Sequence, residues 1–303
     1  MAGISSFNSH ELISKAIIHR PLLPSHPLHR LLPGGNSAPR FLDERPGIRY
    51  HERMPHVVRV CLMPLRVEAR NPALNFLRFQ QRLEEVARFR PDIVCLPECA
   101  WSGYLYEEKD FEAFAEPIPS PRTQAVSALA RKYHCHICFG MLERAPEGVY
   151  SSALWIERNG EIALHYRKIS EGPPFQRGSE VKHVTVDAGR FAVILCGDLF
   201  DEKIQAKIER DVDALLVPLA RSFDGKSPDL ERWLREERQA YAEAVRKIGV
   251  MGWLVNLLED SSIPEAAFGG AMIIGRDGEI LAESAHGTDE PLIYDLVVSS
   301  QWL

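Results

Sequence analysis

No stretch of this 303-residue chain comes near the roughly eighteen consecutive apolar residues that a membrane-crossing helix needs, so the sequence predicts a soluble protein. A basic excess is also missing: 36 Lys and Arg stand against 42 Asp and Glu, for a net charge of -6. Without a positive face to displace counterions from phosphates, nucleic acid is not an expected partner. Cysteine is sparse. Cys61, Cys95, Cys99, Cys135, Cys138 and Cys196 are too scattered for the disulfide framework of a small secreted domain, and several fall in apolar runs. That pattern predicts reduced thiols in a cytoplasmic protein. No internal repeat or low-complexity tract occurs, and 45% hydrophobic content suffices for the core of one large domain.

The first 55 residues differ from the rest. They hold seven Lys and Arg against four Asp and Glu, and seven of the 21 prolines. After a short amphipathic piece, His10 to Arg20, prolines at 21, 24, 27, 33 and 39 forbid a continuing helix or central strand. We read residues 1-55 as an extension lying on the domain or on a partner subunit. A transit peptide is the alternative, which the prolines fit poorly. Residues 56-303 form the domain.

From His56 onward, strand and helix patterns alternate. Strands are expected at 57-63, 93-96, 135-142, 149-156, 161-166, 182-187, 190-195, 214-217, 250-255, 268-274, 279-283 and 292-296. Helices are expected at 71-90, 121-133, 202-210 and 230-248. The helix at 71-90 is expected to turn Leu74, Leu77, Leu83, Val86 and Ala87 inward. Turns at Asn159-Gly160, Ala188-Gly189 and Asp277-Gly278 mark hairpins. This order predicts an α/β fold, a four-layer α-β-β-α sandwich with two mixed sheets.

Three strand ends carry chemistry. The buried run Phe191 to Leu195 delivers Cys196 onto Gly197, a turn that exposes a thiol. Cysteine alone is more often a small core hydrophobe. Two other strand ends supply what a nucleophilic thiol requires: Glu98 in Leu-Pro-Glu, and Lys168 in Tyr-Arg-Lys-Ile. A carboxylate acts as general base toward the thiol, an ammonium holds the oxyanion, and sulfur attacks an electrophilic carbon to give a thioester-type intermediate. The backbone N-H of Gly197 is the natural second oxyanion donor.

The order Glu98, Lys168, Cys196 resembles the nitrilase superfamily of carbon-nitrogen hydrolases, which carries Glu, Lys and Cys in this sequence at strand ends. The family also has a second glutamate followed four and seven residues later by an aromatic and a glycine, a spacing that Glu171, Phe175 and Gly178 reproduce. This chain departs from the usual pattern in that only Ile169 and Ser170 separate Lys168 from Glu171. The resemblance implies the same sandwich, a catalytic set of Glu98, Lys168, Cys196 and Glu171, no cofactor, and subunits paired through helices as a homodimer or higher homo-oligomer. It implies hydrolysis of a small amide or N-carbamoyl substrate, with nitrile hydrolysis or a non-catalytic binding protein as alternatives.

Further residues remain open. Trp101, Tyr104, Phe223 and Trp233 are candidates to line a substrate pocket, with aromatic core as the alternative. Arg221 is a candidate fork for a substrate carboxylate, with a solvated arginine as the alternative. Asp198 is expected to order the turn after Cys196 or cap the helix at Glu202. Glu143 is the competing candidate for the role of Glu171, but its place before a hairpin favours an exposed acid. The cluster His134-Cys135-His136-Ile137-Cys138 invites a zinc reading, but it runs into a strand, where alternate residues face opposite sides, so no metal site is expected.

Overall fold

Short apolar runs punctuated by turn residues assemble into two seven-stranded sheets. The computed structural model describes residues 18-19, 56-105, 107-222, 230-259, 266-285 and 287-298. The first sheet runs, in spatial order, β1 (Ile18–His19), β14 (Leu292–Val298), β2 (His56–Leu62), β4 (Ile93–Cys95), β5 (His136–Ala145), β6 (Gly148–Ile156) and β7 (Ile162–Arg167). The second runs β13 (Ile280–Glu283), β12 (Ala271–Ile274), β11 (Gly252–Leu258), β10 (Ala214–Leu219), β9 (Gly189–Val193) and β8 (Lys182–Val186), with β3 (Leu65–Arg66) pairing β11. Both sheets are mixed. The strands β2, β4 and β5 are parallel, as are β9, β10 and β11, whereas β5-β6-β7 and β8-β9 are antiparallel hairpins.

Strand alternation sorts the side chains into layers. Val60, Leu62, Cys95 and Trp155 of the first sheet pack on Phe191, Val193 and Leu216 of the second, forming the inner core. Trp155 stacks on Phe191 across this interface, with ring centroids 5.1 Å apart and planes 21° from parallel. On the outer face of the first sheet, Phe79, Leu83 and Val86 of α1 (Pro72–Ala87) and Val126 and Ala130 of α3 (Pro121–Tyr133) cover Val94, Ile137 and Phe139. Tyr241, Ala244, Val245 and Ile248 of α6 (Arg238–Ile248) cover the second sheet. The result is the expected four-layer α-β-β-α sandwich.

Helix limits follow local chemistry. Asn71 caps α1 through the Leu74 N-H, with Pro72 in its first turn, and Ser120 caps α3 ahead of Pro121 in a reciprocal capping box with Thr123. The expected inward face of α1 is rotated: Asn75 is buried, and Leu77 is exposed. Asn75 turns inward because its amide donates to the carbonyls of Glu68 and Trp101. The helix expected over 202-210 stops early, as α4 (Glu202–Gln205), capped by Asp201 and not by Asp198. The expected helix over 230-248 contains a π-helical segment, Trp233–Glu237, between α5 (Leu230–Arg232) and α6. Helix α2 (Glu108–Phe114) had no expectation, since its first turn has no side-chain cap.

Strand β10 continues through Pro218, where the sequence suggested an end. Its pairing with β9 stops at Leu216, while pairing with β11 runs on to Leu219. The Leu216 carbonyl points toward the β9 side, and Pro218, two residues on, faces the same way, so its missing N-H leaves no ladder bond unmade. The vacated space beside β10 is where the chain turns into Cys196.

In the N-terminal extension, the described pair Ile18–His19 lies parallel to β14, in register with Ile293 and Tyr294.

Candidate active site

Glu98 follows β4 by three residues, and its backbone N-H reaches the Leu219 carbonyl of the opposite sheet at 3.2 Å. The turn carrying it lies so close to β5 that a Cβ on Gly140 would sit 2.5 Å from the Glu98 Cα, so only glycine fits there. Glu98 itself is fully buried. Its Oε1 accepts from Ser151 Oγ at 2.7 Å and from Lys168 Nζ at 3.0 Å, while its Oε2 is buried with no hydrogen-bond partner among the described residues. Burial holds the carboxyl above its ordinary range, against the downward pull of Lys168 and the Ser151 hydrogen bond.

Lys168 leaves β7 with its N-H bonded to the Ser151 carbonyl at 2.9 Å. Its ammonium contacts Glu171 at 2.5 Å and lies 3.5 Å from the Tyr104 hydroxyl. Burial works against this charge, but Glu98 and the other anionic partners outweigh it and keep the ammonium protonated well beyond the usual lysine range. Tyr104 donates in turn to Glu171. The Glu171, Phe175, Gly178 spacing has a physical reason. Phe175 packs against Tyr104 with centroids 5.9 Å apart, and the Gly178 N-H bonds the Lys168 carbonyl at 2.8 Å. A Cβ on Gly178 would fall 2.0 Å from the Arg167 carbonyl oxygen.

Cys196 opens a short 3-10 turn, Cys196–Phe200, and is the residue that bends the chain, with φ at +43°. Such a left-handed cysteine costs conformational energy, and strained backbone of this kind gathers where a side chain must be presented. Asp198 fixes the bend. Its Oδ2 accepts from the Tyr166 hydroxyl at 2.6 Å and the Leu195 N-H at 3.1 Å, and its Oδ1 accepts from the Ser170 N-H at 2.7 Å and the Ile169 N-H at 3.2 Å. One buried carboxylate therefore ties the cysteine turn of the second sheet to the lysine strand of the first. The half-buried thiol lies within electrostatic reach of both Glu98 and Lys168. Burial, and then the Glu98 charge, push it up to about 12. At neutral pH this sulfur is a thiol, so attack requires a base that takes its proton.

Glu98, Lys168, Glu171 and Tyr104 thus form one contact network with Cys196 beside it. Tyr104 sits inside this network, against Lys168 and Glu171. Gly197 has ordinary backbone, and a Cβ there would meet only Ser170 Oγ, at 3.2 Å. Arg221 is pinned through its backbone by Asn256, which accepts its N-H at 2.8 Å and donates to its carbonyl at 3.0 Å. Its guanidinium reaches both oxygens of the buried Glu237 at 3.4 Å and acts electrostatically on Cys196, so it is not a solvated arginine. Trp101 belongs to the outer core, against Phe76, Phe79 and Phe139, and not to a pocket. Trp233 packs on Tyr241 and Phe268 around a small cavity of about 20 Å³ bounded by Leu219 and Asn256. Phe223 lies outside the described residues.

Glu143 contradicts the expectation of an exposed acid. It is buried, because β5 runs three residues past Leu142 and brings it against Arg167, His165 and Ser152. Burial alone would raise its pKa, but those three partners hold it down at about 2. A carboxyl depressed from 4.5 stabilises the fold above its unfolded pKa and loses that contribution as pH falls toward the folded value. Wild-type protein and Glu143→Gln are therefore expected to differ by about 2-3 kcal/mol in urea unfolding at pH 7 and to converge between pH 4.5 and 2.

Cys135 faces the outer core, whereas Cys138 faces the inner one. His136 is bound to Asp187 at 2.7 Å. Among the described residues, no helix is long and apolar enough to cross a membrane. Sequence reasoning missed Ser151, whose signal was a small polar residue on the inward face of an apolar strand. It also missed Glu259, which accepts the N-H groups of Ala267 and Tyr104 and so joins two loops at the rim.

Residues 58-301 match the family model described as Carbon-nitrogen hydrolase. The chain is 28% identical over 154 residues to a probable nitrilase of Schizosaccharomyces pombe, an alignment covering 47% of this chain and 56% of that protein's length. It is 24% identical over 238 residues to the omega-amidase NIT2 of Homo sapiens, covering 73% of this chain and 81% of that one. In structure it resembles Saccharomyces cerevisiae Nit3, a member of the nitrilase superfamily, with a TM-score of 0.69 at 18% identity, over 80% of this chain and 90% of that one.

Proposed function

Because the chain belongs to the carbon-nitrogen hydrolase family, we propose that it hydrolyses the non-peptide carbon-nitrogen bond of a small amide or N-carbamoyl compound through a thioester on Cys196. Glu98 Oε2 takes the thiol proton as sulfur attacks the carbonyl carbon. Lys168 Nζ and the Gly197 N-H hold the oxyanion that forms. As the tetrahedral adduct collapses, the Glu98 proton passes to the departing nitrogen, and ammonia or an amine leaves. Water then yields its proton to Glu98 and attacks the thioester carbon, releasing the acid and the cysteine. Glu171 and Tyr104 keep Lys168 aimed throughout.

The observation that carries this reading is the one-sided Glu98 carboxylate, with two donors on Oε1 and a buried Oε2 that has no hydrogen-bond partner among the described residues, within electrostatic reach of a thiol that needs a base. Ammonia release from a panel of small amides and carbamoyl amino acids tests it. No turnover of any member by the wild-type chain would refute it.

Arg221 supports a finer point, a substrate bearing a carboxylate. Its backbone is held rigid, and its guanidinium stands near the thiol. Arg221→Ala is expected to raise KM about tenfold for an acidic amide and to leave KM for a neutral one unchanged, a selectivity read from paired steady-state measurements. Equal effects on both substrates would remove Arg221 from recognition.

A further inference from the structure

We infer that Ser151 is the positioning residue for the catalytic base: it fixes which oxygen of Glu98 receives the thiol proton, and it sets the pH at which that oxygen can do so. This rests on the Glu98-Cys196 reading above and deepens it.

Ser151 occupies an unusual place. It lies on β6, fully buried, and the neighbouring inward positions of that strand, Ala153 and Trp155, are apolar and belong to the inner core. A hydroxyl there needs a partner, since burying one without a hydrogen bond is costly. Its partner is Glu98 Oε1, at 2.7 Å. The Ser151 carbonyl accepts the Lys168 N-H at 2.9 Å. A single residue thereby registers both groups, its side chain holding the carboxylate and its main chain holding the strand that delivers the ammonium.

The consequence lies in the asymmetry of Glu98. Lys168 alone could bind either carboxylate oxygen, because an ammonium is a compact charge with rotatable donors. The second donor at Oε1 breaks that symmetry and leaves Oε2 with none among the described residues. Oε2 thus keeps its lone pairs for the thiol proton. The same hydrogen bond favours the ionised carboxylate, opposing the burial that disfavours it. Without the hydroxyl, Glu98 is protonated at higher pH, and the base is lost over a wider acidic range.

Ser151→Ala removes the hydroxyl and leaves the main-chain bond to Lys168 intact, so it isolates the proposed role. The test is the rate of Cys196 alkylation by iodoacetamide, followed by mass spectrometry of the full chain across pH. This readout does not depend on the identity of any substrate. In the wild type the rate should fall on the acidic side as Glu98 protonates, and Glu98→Gln should abolish that limb. Ser151→Ala should displace the limb upward by about one pH unit, roughly a tenfold slower reaction on that limb. Ser151→Thr, which keeps the hydroxyl, should restore it. A Ser151→Ala profile superimposable on the wild type, with the Glu98→Gln profile altered, overturns the role of Ser151 alone. An unaltered Glu98→Gln profile overturns the base assignment and this inference with it. Circular dichroism melts identify a variant that fails to fold. In that case Ser151→Thr against Ser151→Val, matched in shape, carries the comparison: a limb displaced in Val and not in Thr supports the role, and identical limbs refute it.

Discussion

Cys196→Ala is expected to release no measurable ammonia from any amide that the wild-type chain hydrolyses, a fall in kcat on the order of 10^4-fold or more. The size follows from the proposed covalent route, in which the sulfur itself carries the acyl group. Stability should behave differently. The backbone at Cys196 has φ +43°, a left-handed conformation that costs a residue with a Cβ roughly 1-2 kcal/mol and glycine little. Asp198 holds that conformation through the Leu195, Ile169 and Ser170 N-H groups, none of which the substitution touches. Cys196→Gly should therefore be as inactive as Cys196→Ala and yet more stable, by about 1 kcal/mol in denaturant unfolding. An alanine variant that retained even a hundredth of wild-type turnover would remove the sulfur from the chemistry. A glycine variant less stable than the alanine one would show that the turn is not strained.

Lys168→Met carries the largest expected effect on folding. The ammonium contacts Glu98 at 3.0 Å and Glu171 at 2.5 Å, and all three side chains are buried. Methionine fills much of the same volume but leaves two carboxylates facing each other without a cation. Breaking a buried pair from one side costs about 3-5 kcal/mol, because the remaining charge stays desolvated. We expect a loss of that size at pH 7 in urea unfolding, together with loss of turnover. The sign of its pH dependence is fixed. Without Lys168, the folded-state pKa of Glu98 rises further above its unfolded value, so its ionised form opposes folding at pH above both values and ceases to do so below them. The gap between variant and wild type should therefore narrow as pH falls. A gap that is small at pH 7, or that widens in acid, would mean that Lys168 is not what offsets the burial of the Glu98 carboxylate.

Much of this architecture could be read before any coordinates, and the reason is periodicity. Buried strands such as 149-156 and capped helices such as 121-133 announce themselves because local propensity and tertiary burial agree. Glu98, Lys168 and Cys196 were legible for another reason: each breaks an apolar strand end with a reactive group. Departures arose where a distant partner overrode local pattern. Glu143 reads as a hairpin acid until Arg167 and His165, some twenty positions later, are brought across the sheet. Asn75 displaces Leu77 from the buried face because backbone carbonyls of two loops await its amide. Pro218 looks like a strand terminator unless one knows that β9 has already peeled away. Tyr104, legible only as an aromatic near the site, owes its place to Glu171, which its phenol reaches.

The aromatic stack of Trp155 on Phe191 has a bearing beyond cohesion. Its two rings belong to β6 and β9, the strands that carry Ser151 and lead into Cys196. The thickness of that stack therefore gauges the gap across which the proposed base and sulfur would meet. A slimmer or bulkier ring at either position would reset a reactive distance from deep inside the sandwich, touching no substrate at all. Selection for rate in such a molecule reaches down into residues whose only visible work is to fill space.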